Sequence, residues 1–135
     1  MADQATHASA IAGVQAMEDQ HEMVVDSLSS IGLQLTRGQS SARLCNQIEL
    51  LIEFTGMHFG CEESLLRRHG YPRLEEHCRA HQDLLSQIRL AGHRAECGED
   101  AELERLLASV RGNYLDHIDG LDRDYSRWLN SRGVD

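Results

Sequence analysis

Apolar residues recur along this chain at alternating steps of three and four in four separate stretches. The first runs Val14, Met17, His21, Val24, Leu28, Ile31, Leu35, with Glu18, Asp19, Glu22 and Asp26 off the stripe. The second is Leu44, Ile48, Leu51, Thr55, His58, Glu62, Leu65, and the third is Leu74, His77, His81, Leu84, Ile88, Ala91. The fourth is Leu103, Leu107, Val110, Tyr114, His117, Leu121 and Trp128. Such steps line up one face of an α-helix, so each stretch predicts an amphipathic helix. Gly38 suits the residue just past the first helix, and Ser40 or Ser41 can cap the second. Gly70 ends the second helix, and Pro72 suits the first turn of the third. The Cys97-Gly98-Glu99-Asp100 stretch reads as a loop, with Asp100 at the N-cap of the fourth helix. Residues 1–13 read as an irregular arm and 14–135 as one domain. Four helices with short links predict an all-α, up-down-up-down antiparallel four-helix bundle.

Each apolar seam is broken near its middle by a residue that binds metals. His21 breaks the first, His58 and Glu62 the second, His77 and His81 the third, and His117 the fourth. A single histidine on an apolar face is ordinarily a hydrogen-bonded core residue. Five histidines and a glutamate, spread over all four seams, form a different pattern. Burying that many titratable groups without a compensating ion costs several kcal/mol each. A metal removes the difficulty, because neutral imidazole and carboxylate bind it directly. Asp122 follows His117 by five residues, which is roughly 140° around a regular helix. It either reaches sideways, sits on a locally widened turn that Gly120 would ease, or faces solvent.

Composition narrows the partners. The net charge of −9 leaves no basic stripe to neutralise phosphate, which argues against nucleic acid and against an anionic membrane surface. No apolar run approaches a membrane span, and the first residues lack the charge and apolar core of a secretory signal, so the expected location is the cytoplasm. The four cysteines show no CxxC spacing and are read as reduced thiols. Cys61 and Cys78 are read as packing between the second and third helices. Thiolates are absent from the proposed ligands, which argues against structural zinc or an iron–sulfur cluster. His7, His69 and His93 fall off the seams and are read as solvated.

The ordered set His21, His58-x3-Glu62, His77-x3-His81 and His117-x4-Asp122 resembles the hemerythrins, specifically the bacterial ones. It is accompanied by His58-Phe59, Glu62-Glu63, Gly70-Tyr71-Pro72 and His117-Ile118. The resemblance spans residues 14–130. It implies two iron ions joined by an oxo or hydroxo bridge. One iron would take His77, His81 and His117, the other His21 and His58, with Glu62 and Asp122 bridging the two. It further implies reversible O2 binding, as hydroperoxide, at the iron left with an open position. The set is richer in histidine than the ferritin-like carboxylate sites, which need two Glu-x-x-His motifs. This chain has one, Glu18 to His21, with Glu18 off the seam.

Two departures stand out. Many relatives carry Trp and a large aliphatic residue four and three positions before the fourth-helix histidine, where this chain has Asn113 and Tyr114. Tyr114 is expected to line the oxygen pocket, its hydroxyl meeting bound ligand or a pocket water, or else a backbone carbonyl. The N-terminal Trp of the family is also missing. The resemblance leaves three uses open: O2 carriage or storage, O2 or redox sensing through a downstream signalling domain or partner protein, and a diiron enzyme acting on peroxide or nitric oxide.

Overall fold

The computed structural model describes residues 14–134. Four long helices follow in order: α1 Val14–Thr36, α2 Ser41–Arg68, α3 Leu74–Glu96 and α4 Asp100–His117. A π-helical turn, Ile118–Asp122, then leads straight into α5, Arg123–Asn130. Among the described residues there is no strand. Helix α1 packs on α2 and α4, α2 on α3, and α3 on α4. Sequential neighbours joined by short turns close a ring, which is the up-down-up-down antiparallel bundle.

The turns follow from local chemistry. Gly38 and Gly70 adopt φ of 92° and 70°, the left-handed conformation in which a side chain would be strained. At the second, Tyr71 N–H donates to Leu66 O and Gly70 N–H to Arg67 O, satisfying carbonyls that the helix end leaves open. The caps differ from the sequence expectation. Ser40 holds the extended N-cap conformation of α2 but makes no side-chain capping bond. The Ser41 N–H donates instead to Asp100 Oδ1 at 3.3 Å, so the first residue of α4 caps α2, diagonally across the end of the bundle, rather than its own helix. Pro72 lies two residues ahead of α3, in the turn, not in its first helical turn.

The interior is three-layered. A long apolar core runs from Val24, Phe59, Leu84 and Tyr114 to Leu35, Leu44, Ala95 and Leu103 at one end. A short one at the other end holds Val14, Met17, Leu65, Leu66, Tyr71, Tyr125 and Leu129. Between them lie His21, His58, Glu62, His77, His81, His117 and Asp122, all buried. The polar layer is displaced from the middle expected for it. His77 and His81 lie in the first two turns of α3, close to the Gly70 turn.

The π turn also changes which residues face inward beyond it. The regular three–four stripe placed Leu121 and Trp128 on the seam, yet both are only partly buried. Asp122, Tyr125 and Leu129 are buried instead. Bonding from i to i+5 absorbs one extra residue, so the inward face advances by one position beyond His117.

Candidate metal centre

Helices α2 and α3 each present two ligand-type side chains one turn apart, because residues i and i+4 stack along a regular helix. His21 enters from α1. His117 ends α4, and the π turn brings Asp122 beneath it, since i→i+5 bonding superimposes residues five apart. This selects the widened turn among the three placements open to Asp122.

The two carboxylates divide the histidines into two groups. Glu62 Oε1 lies 2.6 Å from His77 Nε2 and 2.9 Å from His81 Nε2. Its other oxygen, Oε2, lies 2.9 Å from His21 Nε2 and 3.3 Å from His58 Nε2. Asp122 repeats the division. Its Oδ1 lies 3.0 Å from both His77 Nε2 and His117 Nε2, and its Oδ2 lies 3.0 Å from His21 Nε2. Ligand atoms of Glu62, His77, His81, His117 and Asp122 fall within 4.8 Å of one another, as do those of His21, His58 and Glu62.

The protonation pattern shows what the cluster lacks internally. His81 Nδ1 donates to Glu63 Oε2 at 2.8 Å, because a carboxylate can only accept. His58 Nδ1 donates in the same way to Gln20 Oε1 at 2.7 Å. Donation at Nδ1 leaves each neutral ring with a lone pair on Nε2, aimed at an oxygen of Glu62. Lone pair facing lone pair is repulsive unless a cation lies between them. His58 Nε2, His117 Nε2 and both oxygens of Asp122 are buried with no hydrogen-bond partner. Leaving such groups unpaired costs on the order of 1–3 kcal/mol each.

Protonation relieves only part of this. For His21 and His77 burial favours the neutral ring, but Asp122 and Glu62 outweigh it and push the pKa up to about 9. His81 also moves up, against burial, through Glu62 and Glu63. His58 moves down because burial dominates. Burial acts to raise Glu62, yet its histidine neighbours hold it well below the usual carboxylate range. Asp122 is likewise depressed, by His117, His21 and His77 against burial and the charge of Glu62. Metal cations satisfy all seven side chains at once, so the donor set fits a pair of them.

Aromatic rings pack around the cluster. Phe59 stacks on His81 with centroids 3.9 Å apart and planes 6° from parallel. Tyr114 lies 6.2 Å from the His21 ring and 6.3 Å from the His117 ring, and its buried hydroxyl has no partner. Tyr125 Oη donates to Glu62 Oε2 at 2.9 Å.

The seam pattern pointed to six of these seven side chains and left Asp122 open; the structure brings all seven together. Sequence reasoning missed three supporting side chains: Gln20, Glu63 and Tyr125. The Glu62-Glu63 pair was the available signal for the second, since the next residue turns about 100° toward the facing helix. Tyr125 was hidden by the π turn, which moved it onto the inward face. The four cysteines are free: Cys97 is exposed and the other three are partly buried. His69 and His93 lie away from the layer, and His7 and the rest of the 1–13 arm fall outside the described residues. Among the described residues no helix is long and apolar enough to cross a membrane.

Comparison with known proteins agrees with this geometry. The family model described as "Hemerythrin HHE cation binding domain" matches residues 12–129. The bacteriohemerythrin of Stenotrophomonas maltophilia is 28% identical over 115 residues, covering 84% of this chain and 73% of that protein. That of Pseudomonas aeruginosa is 28% identical over 109 residues, 79% of this chain and 71% of its own. That of Methylococcus capsulatus is 25% identical over 114 residues, covering 84% and 86%. No solved structure matches. With the family model covering all four helices and the histidine layer inside it, this chain belongs to the hemerythrin HHE cation-binding family.

Proposed function

We propose that this chain is a non-haem diiron protein that binds O2. His77, His81 and His117 would hold one iron, His21 and His58 the other, and Glu62 and Asp122 would each reach both. The observation that carries this reading is the division of labour in the carboxylates: each offers one oxygen to the group of three histidines and the other to the group of two. Imidazole with carboxylate suits iron. The unequal histidine count leaves the second iron one protein ligand short, which is where a small molecule has room. A ferrous pair supplies the two electrons needed to reduce O2 to the peroxide level.

The rest falls to the chain. Gln20 and Glu63 fix the tautomers of His58 and His81 by accepting from Nδ1, so that Nε2 faces the metal side. Tyr125 donates to Glu62 and holds that carboxylate in its bridging orientation. Phe59 and the long apolar core exclude water from the layer. Tyr114, whose ring lies beside those of His21 and His117 and whose buried hydroxyl has no partner, would donate a hydrogen bond to a small molecule bound there.

The bacteriohemerythrin relatives support the O2-binding reading, and carriage, storage, or sensing through a downstream domain or partner would be uses of that same binding event. A second reading, a diiron enzyme acting on peroxide or nitric oxide, draws on that free Tyr114 hydroxyl as a hydrogen-bond donor in the pocket. An ultraviolet–visible spectrum of the iron-loaded chain, anaerobic and then oxygenated, tests the binding. Charge-transfer absorption that appears with O2 and leaves when O2 is removed is expected; no change on oxygenation overturns the proposal. Turnover of added peroxide or nitric oxide selects the enzyme. Autoxidation of Tyr114→Phe at the wild-type rate removes Tyr114 from the pocket chemistry.

A further inference from the structure

The buried layer is reached from outside through a pocket of about 390 Å3 between α1 and the π turn. Its lining includes His21 and Asp122 together with Glu18, Glu22, Ile118 and Arg123. His21 and Asp122 are otherwise 6% and 2% exposed, so this opening is where solvent comes nearest to them. Both oxygens of Asp122 are buried without a hydrogen-bond partner and face the histidine Nε2 atoms behind this opening.

Glu18 and Glu22 are one turn apart on α1, on either side of His21, and both are exposed. Glu18 lies off the seam because it faces this opening. Three carboxylates therefore border the pocket against one guanidinium and the His21 imidazole. His21 is engaged by Glu62 and Asp122 in the layer below, and Arg123 is shared with Asp119 at 3.4 Å, which leaves Glu18 and Glu22 as the charges at the mouth. A concave site of one sign concentrates the opposite ion and speeds its arrival. Exposed carboxylates can also replace part of a cation's water shell before it meets His21 and Asp122.

We propose that this pocket is the port by which divalent cations reach the histidine layer, with Glu18 and Glu22 drawing them in. The inference rests on the metal reading of the layer but concerns how the layer fills, not what it does when filled.

Stopped-flow uptake of Fe2+ by the metal-free full chain, anaerobic and at low salt, tests it. The double variant Glu18→Gln/Glu22→Gln is expected to load about tenfold more slowly, and Arg123→Gln severalfold faster. Both differences should shrink at roughly 0.5 M salt, where the Debye length is only a few Å. Saturation should still reach two irons per chain, because neither glutamate touches the final site. Equal rates in all three proteins, with two irons bound, overturn the port and leave the metal site standing. A wild-type chain that takes up no metal overturns both.

Discussion

The apolar cores on either side of the histidine layer are unequal, and the inequality shows what the layer does to stability. The long core contains Leu28, Ile31, Leu44, Ile48, Ile88, Leu103 and Val110, each almost wholly buried and packed from four regular helices. The short core rests on α1's first two turns, the end of α2, the Gly70 turn and α5. It includes two tyrosines whose hydroxyls are tied to carboxylates: Tyr71 to Asp124 and Tyr125 to Glu62. One region is held mainly by apolar packing, with its polar bonds at the rim. The other is a cap joined to the rest of the bundle through a layer of ionisable groups.

Metal removal is expected to have the largest effect and to separate the two regions. Without cations, the five imidazoles and two carboxylates must be satisfied by protonation or by water, and binding free energy in such sites is folding free energy. Hydrogen exchange on the chelated protein should show lost protection around Val14–Met17, Leu65–Tyr71 and Tyr125–Leu129. Protection around Leu44–Leu51 and Leu103–Val110 should persist. Uniform loss across all helices would mean that the two cores are not separable.

Next in size is a cavity in the long core. Leu44→Ala or Leu103→Ala should cost about 2–5 kcal/mol, and by the same amount in metal-loaded and metal-free protein, as read by urea unfolding. A cost confined to the loaded form would show that the long core depends on the layer after all.

The π turn gives a sharper test of the same boundary. Deleting Gly120 removes the extra residue and lets i→i+4 bonding resume, with Asp122, Tyr125 and Leu129 still facing inward. The metal-free chain is expected to melt at the same temperature or higher while iron retention falls, because closing the wide turn shifts the Asp122 carboxylate relative to His117 and spoils its reach to both histidine groups, although it still faces inward. Loss of helix content by circular dichroism would contradict this.

Smaller still is Tyr114→Phe. Removing a buried hydroxyl that has no partner should stabilise the metal-free protein by about 1 kcal/mol, a gain measurable in a thermal melt. A loss of that size would mean that the hydroxyl has found a partner within the fold.

What the residue pattern disclosed divides along the same line. The four helices, the Gly38 and Gly70 turns and six of the seven clustered side chains follow from regular periodicity, which the helix preserves residue by residue. Asp122 was the exception. Its spacing from His117 conflicts with 3.6 residues per turn, and only the backbone resolves the conflict, by widening. The same event hid Tyr125 and Leu129 behind Leu121 and Trp128. For a different reason, Asp100 was misassigned as an N-cap, and Ser40, which does stand at the N-cap of α2, makes no capping bond. A side chain near two helix starts can satisfy either, and tertiary proximity decides which. The layer's distance from the bundle's centre was hidden because helix ends set it, and boundaries are the least legible feature of a sequence.

The central claim is that Glu62 and Asp122 each join two metal positions within one buried layer. Iron analysis combined with Mössbauer spectroscopy of the anaerobically loaded and then oxidised protein tests it most directly. Two irons per chain, with an oxidised pair antiferromagnetically coupled to a diamagnetic ground state, is the expected result. One iron per chain, or two that behave as isolated paramagnetic ions, would contradict it.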